Sequence, residues 1–225
     1  QHLDADLAIS AVDMLGQGRS PMPDRSRDYQ LQCAEASIAA MENSVSGPQD
    51  LVGHSFGGCI ALRIVTLRPD LVRSLVLFEP VFFGFLQDAG SSMYDAMVAG
   101  EAEMHAALKV GDTMLAAERF LTKWGLPGEW DRMPETQRQS FADRMWLIQA
   151  QRGSIIEDND WRVRLDDLKA ITCPTLVMHG QSSPPIMAKM TEVISGAIPN
   201  AQADSLPQAG HMLPITHAAD CAKRL

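Results

Sequence analysis

The run Gly53-His54-Ser55-Phe56-Gly57 sets a serine hydroxyl between two glycines. Such a G-x-S-x-G run does nucleophilic chemistry when an apolar strand precedes it and a helix follows. The serine then stands on a sharp turn with its Oγ exposed at the edge of a sheet. Both flanks are present: Asp50 to His54 reads as a short strand, and Ile60, Ala61, Ile64, Val65 and Leu67 follow at helical spacing up to Pro69. Side chains at Gly53 or Gly57 are expected to strike neighbouring backbone. The backbone N–H of Phe56, at the start of the helix, is expected to face an oxyanion. A serine nucleophile needs a base, and the base needs an acid to orient it. Among six histidines, His211 follows a strand signal and sits beside Gly210 in a loop, which suits a base. His54 reads as a packed or hydrogen-bonded residue, His179 as a structural strand end and His217 as a helix-face residue, while His2 and His105 carry no context. Glu79 directly follows the apolar run Ser74 to Phe78. A carboxylate ending a buried parallel strand points to the carboxyl edge, where ligands bind. Asp204 is the reserve acid, and Asp13 reads as a turn carboxylate capping nearby N–H groups.

These residues need elements to carry them. Leu7 to Met14 is rich enough in Ile and Val for a buried strand, closed by the turn cluster Gly16, Gly18, Ser20, Pro21. Leu31, Ala34, Ile38, Met41 and Val45 recur at helical spacing and stop near Gly47-Pro48. With the strands at Asp50–His54 and Ser74–Phe78, the order implies parallel βαβ units with helices on both faces. From Val81 to Ile171 strand runs vanish, and Ala102 to Phe120 and Glu135 to Gln151 read as helices. After Pro174 the alternation resumes: Thr175 to His179 a strand, Pro184 to Ser195 a helix, Ala201 to Leu206 a weaker strand. An insertion of about 90 residues exceeds an ordinary connection and is expected to be functional.

Four ordered motifs resemble those of the α/β-hydrolase fold superfamily. Val12 to Ser20 (VDMLGQGRS) looks like its D-x-x-G-x-G-x-S turn after the fourth strand, and LVGHSFGG like its fifth strand and nucleophile elbow. PTLVMHG at Pro174 to Gly180 and QAGHM at Gln208 to Met212 look like its seventh strand and histidine loop. The resemblance implies a mostly parallel sheet with helices on both faces and a helical cap inserted after the sixth strand. It divides the chain into a core at 1–80 and 171–225 and a cap or lid at 81–170. It also implies the order Ser55, acid, His211. The usual acid would follow the seventh strand as H-G-x-x-D, but that stretch reads His179-Gly180-Gln181-Ser182-Ser183. Ser183 cannot hold an imidazolium by charge, so Glu79, at the end of the sixth strand, is the acid expected. In that family a strand between the fourth and fifth carries a second oxyanion-hole donor, and no such segment precedes Leu7. The natural protein is therefore expected to extend N-terminally by roughly 30 to 50 residues, about one βαβ unit plus a strand.

Composition narrows the function. With 19 Lys+Arg against 28 Asp+Glu and a net charge of −9, nucleic acid is not an expected partner. The longest apolar stretch, Leu75 to Leu86, is broken by Glu79, Pro80 and Gly84 and falls short of a membrane helix. Four separated cysteines without a CxxC pair argue against zinc and against a disulfide scaffold, and fit the reducing, cytoplasmic setting expected. A monomer or homodimer is expected. Phe82, Phe83 and Phe85 follow Glu79, and Trp124 and Trp146 lie further on. These five aromatics are the expected lining of an apolar substrate pocket, and Phe82→Ala or Trp146→Ala is expected to change the ester-length preference. The expected activity is cofactor-free hydrolysis of small to medium hydrophobic carboxylic esters through an acyl-enzyme. Asp-nucleophile dehalogenases and epoxide hydrolases are disfavoured because position 55 is Ser. Lactonases, carbon–carbon bond hydrolases and a non-catalytic ligand-binding role stay open.

Overall fold

The computed structural model describes residues 7–225 except 45, 127, 158 and 160, so Val45 and His2 lie outside the described residues. Its sheet has four strands, β1 (Gln49–His54), β2 (Val72–Phe78), β3 (Thr175–Gly180) and β4 (Ala201–Leu206), all parallel and side by side in chain order. Helix α1 (Tyr29–Ser44) leads into β1, α2 (Phe56–Leu67) connects β1 to β2, and α10 (Pro185–Ala197) connects β3 to β4. Between β2 and β3 the described residues form helices only: α3 (Gly84–Asp88), α4 (Met93–Gly100), α5 (Ala102–Lys109), α6 (Thr113–Trp124), α7 (Glu129–Arg132), α8 (Glu135–Ala142) and α9 (Met145–Ile155), then a 3-10 turn at Leu165–Ala170. Short helices α11 (Leu213–Thr216) and α12 (Ala218–Ala222) end the chain.

Side-chain alternation along the strands explains the two-faced sheet. Leu75, Leu77 and Val177 point to one face, where they join α1, α2 and α10 in the main core. Val76, Phe78, Leu176 and Met178 point to the other, against Leu213 and Cys221 of α11 and α12. Helix α2 is apolar almost all round, with Cys59, Ile60, Leu62, Ile64 and Val65 buried, which is the pattern of a helix enclosed on every side. Phe82, Phe85, Leu86, Leu147 and Val163 of the insertion belong to the main core, so the insertion is packed onto the sheet layer. A smaller cluster of Met104, Ala116, Ala142 and Met145 holds α5, α6, α8 and α9 together. No helix among the described residues is long and apolar enough to cross a membrane.

Two readings of local structure are corrected. Leu7–Met14 is not a strand: it runs as irregular chain, with Leu7, Ile9 and Val12 exposed. A strand exists only where a neighbour completes its ladder of hydrogen bonds, and among the described residues none flanks this segment. The stretches 102–120 and 135–151 are not continuous helices. Gly111, at φ +80°, breaks the first, and Asp112 caps α6 by accepting a bond from the Leu115 N–H at 3.0 Å. The second breaks at Asp143–Arg144, between α8 and α9. The turn at Asp13 behaves as read, its carboxylate accepting from the Arg19 N–H at 3.0 Å. Position 18, at φ +52°, suits glycine, and a Cβ on Gly18 would displace that carboxylate from its place in the turn.

Candidate active site

Parallel strands bring their carboxyl ends to one edge, and the register places His54, Phe78 and Met178 side by side there. Ser55 follows β1 in a turn with φ 53° and ψ −124°, a conformation that L residues rarely adopt. Its N–H donates to the Phe78 carbonyl at 2.9 Å, tying the turn to β2. Gly53 is needed for the tight strand-to-helix approach, since a Cβ there would lie 2.6 Å from the Gly57 carbonyl oxygen. Gly57 is not, contrary to expectation: a Cβ at Gly57 meets nothing within 4 Å, whereas a Cβ at Gly58 would lie 3.0 Å from the Pro80 side chain. Phe56 is the first residue of α2, so its N–H has no carbonyl one turn back in the helix to accept it. Its side chain is buried and stacked on Tyr29.

Glu79 follows β2 and is fully buried, also at positive φ, +45°. Its N–H donates to the Met178 carbonyl at 2.8 Å, so β3 fixes where the carboxylate stands. Oε1 accepts from the Gly180 N–H at 2.7 Å and from the Ser183 hydroxyl at 2.5 Å, while Oε2 lies 2.6 Å from His211 Nδ1. On its other side the ring puts Nε2 3.0 Å from Ser55 Oγ. A carboxylate only accepts, so Nδ1 carries the proton and Nε2 is free to take one from Ser55. Burial pushes the Glu79 carboxyl up, but the bonds from His211, Ser183 and Gly180 outweigh it and hold the group below the usual range. Ser183, which stands where the resemblance puts the usual acid, is therefore a donor to the carboxylate. Asp204 is turned elsewhere, paired with Arg224. His179 is the penultimate residue of β3, with its Nδ1 buried and unpaired.

This geometry can be set beside known proteins. The model of the alpha/beta hydrolase family matches residues 1–224. The chain belongs to that family. This alpha/beta hydrolase is 30% identical to 2-hydroxymuconate semialdehyde hydrolase of Pseudomonas putida, over 96% of the chain and 74% of the relative. It is 40% identical to the lipase LipV of Mycobacterium tuberculosis over 76 residues, 33% of the chain and 28% of the relative. Among solved structures it resembles MGS-M2, an alpha/beta hydrolase enzyme from a deep-sea metagenome library, at 21% identity and a TM-score of 0.69, over 94% of this chain and 75% of that one.

The hydrolase has a small, partly open cleft with Ser55 and His211 on its wall. Val81, Phe83, Trp124 and Phe120 give it an apolar side. Trp124, from α6, lies 5.2 Å from the His211 ring and 5.8 Å from Phe83. The pocket reading from sequence needs correcting at three positions. Phe82 and Phe85 do not line this cleft; they are fully buried and stacked on each other at 4.3 Å. Trp146 does not either: it packs edge-on to Tyr29 and carries Arg25 over its ring. Adjacent residues in a turn or helix point to different sides, so a cluster in sequence does not share one surface.

Sequence reasoning missed the cleft's other wall. Glu101 and His105 of the insertion, with Gln151 and Arg152 of α9, line it together. Glu101 and His105 stand one helical turn apart, 3.5 Å between their polar atoms, and Lys123 reaches Glu101 at 3.3 Å. Burial raises the Glu101 carboxyl, but His105 and Lys123 bring it below the ordinary value. The signal was an i,i+4 Glu–His pair, easily passed over because such pairs are common on solvated helix faces.

Proposed function

We propose that this chain is a serine hydrolase of carboxylic esters with a small to medium hydrophobic acyl or alkoxy group. The carrying observation is the chain of contacts Ser55 Oγ to His211 Nε2 at 3.0 Å and His211 Nδ1 to Glu79 Oε2 at 2.6 Å, opening onto a cleft with an apolar side. His211 takes the Ser55 proton as Oγ attacks the ester carbonyl, and the Phe56 N–H stabilises the oxyanion that forms. The protonated imidazole, held by Glu79, returns the proton to the leaving alkoxide. Water, deprotonated by His211, then releases the acyl group from Ser55. The helical insertion covers the site and selects the acyl group. The test is labelling of Ser55 by a fluorophosphonate probe together with turnover of p-nitrophenyl esters from acetate to laurate. Labelling without turnover of any ester counts against the reading, and stoichiometric ligand binding without labelling indicates a binding protein.

A second reading, carbon–carbon bond hydrolysis, has two observations in its favour. One is the relative named 2-hydroxymuconate semialdehyde hydrolase, which matches nearly the whole chain. The other is the polar wall of Glu101, His105, Gln151 and Arg152, which suits a substrate with polar groups. Turnover of 2-hydroxymuconate semialdehyde with kcat/KM above that of the best ester would favour it.

Phe120 tests the acyl-selecting role of the insertion. It lies half-buried in the cleft, 6.1 Å from Phe141, and cutting it back to Ala opens the apolar side. Phe120→Ala should shift the preferred ester to longer chains and change KM more than kcat. An acyl-length profile identical to wild type would refute this.

A further inference from the structure

Base and nucleophile sit on elements far apart in sequence, and only one of them belongs to the sheet. Ser55 is fixed by β1, α2 and the bond to Phe78. His211 lies in the connection between β4 and α11, where no ladder holds it and Gln208 turns at φ 60°. A base displaced by a fraction of an ångström loses its line to Oγ, so something must register this loop against β1. Two bonds do so from opposite sides. The Ala209 carbonyl accepts from the Ser182 N–H at 2.8 Å, on the β3 side. On the β1 side the His211 carbonyl lies 2.7 Å from His54 Nε2. A carbonyl only accepts, so this nitrogen carries the proton whatever the charge of the ring. Burial, with His211 close by, drives the His54 pKa down to about 4, so the ring is neutral near neutral pH and adds no positive charge beside the imidazolium formed in the reaction. The His54 and His211 rings also lie 5.0 Å apart, with Trp124 packed against His211 as well.

We propose that His54 is a positioning residue for the base: by donating Nε2–H to the His211 carbonyl it locks the histidine loop onto the strand that carries the nucleophile. This rests on the serine-hydrolase reading above. Residue 54 then occupies the second position of the G-x-S-x-G run because of its reach as a donor, and its neighbour Ser55 alone does the bond-making.

Glutamine and asparagine separate reach from polarity. The Gln side-chain nitrogen stands as many bonds from Cα as histidine Nε2, while the Asn nitrogen stands one bond short. His54→Gln and His54→Asn are compared with wild type for p-nitrophenyl butyrate kinetics, fluorophosphonate labelling rate and thermal unfolding. His54→Asn should lose about 10- to 100-fold in kcat and in labelling rate, with KM within about threefold. His54→Gln should recover to within about threefold of wild type. If wild type labels at Ser55 and both variants match it, or both lose activity equally, the positioning role is overturned while the serine-hydrolase reading stands. If wild type neither labels nor turns over the ester, that reading falls and this one with it.

Discussion

On the proposed serine-hydrolase reading, Ser55→Ala should lower kcat for p-nitrophenyl esters by a factor on the order of 10⁵–10⁶, while leaving the fold intact. The magnitude follows from what the hydroxyl does. Without Oγ there is no acyl-enzyme, and His211 can at best activate a water from a position built for serine. Truncation should cost little stability, because Ala keeps the Cβ and backbone of Ser55 and the change removes the Oγ hydrogen bond to His211. The measurement is kcat for p-nitrophenyl butyrate with thermal unfolding as control. A folded Ser55→Ala that retains more than about a hundredth of wild-type kcat would show that another residue is the nucleophile.

Glu79→Gln should cost on the order of 10²–10⁴ in kcat with a smaller change in KM. The amide keeps the shape of the carboxylate and can still accept through one atom. It lacks the charge that stabilises the imidazolium, and its NH₂ facing His211 Nδ1 would favour the wrong tautomer. Alternatively, an NH₂ turned the other way would confront the Gly180 N–H, which is itself only a donor. Both orientations sacrifice a bond that the carboxylate makes. Ser183→Ala removes one of the two donors to Oε1 but no charge, and should cost under about tenfold. Kinetics of both variants, with circular dichroism to verify folding, decide the matter. Near-native kcat in folded Glu79→Gln would remove Glu79 from the role of acid, and an equal loss in both variants would mean that packing around Oε1 outweighs its charge.

The positions of Ser55 and Glu79 were legible because each directly follows a strand run, and parallel strands must bring those ends to one edge; His211 was legible from the Gly210-His211 loop after a weaker strand. The parallel sheet was legible for the same reason: β2 and β3 are enclosed on both faces and read as continuous apolar runs. The strand expected at Leu7–Met14 failed because a strand is a property of a pair, and composition cannot say whether a partner lies alongside. The pocket was half legible. Phe83 and Trp124 face the cleft, yet Phe82 and Phe85, one and two residues away from Phe83, fill the core. Which aromatic turns inward depends on the local path of the chain after Pro80, and no hydrophobic periodicity encodes a single irregular turn. His54 shows a further limit: its bond spans 157 positions in sequence, so only the folded chain reveals it.

Glu79 ends β2, and the next residues are the first of the helical insertion, with Val81 and Phe83 already on the wall of the cleft. On the proposed reading, the group that orients the base and the surface that meets the substrate thus share one short, covalently continuous segment. On that reading, a bulky substrate that displaced Phe83 would pull on the turn at Glu79 and lengthen its 2.6 Å bond to the imidazole. Ill-fitting substrates would then be discriminated in turnover as well as in binding. An acid placed after β3 instead would be mechanically insulated from this wall, leaving the wall free to diversify without disturbing the proton path.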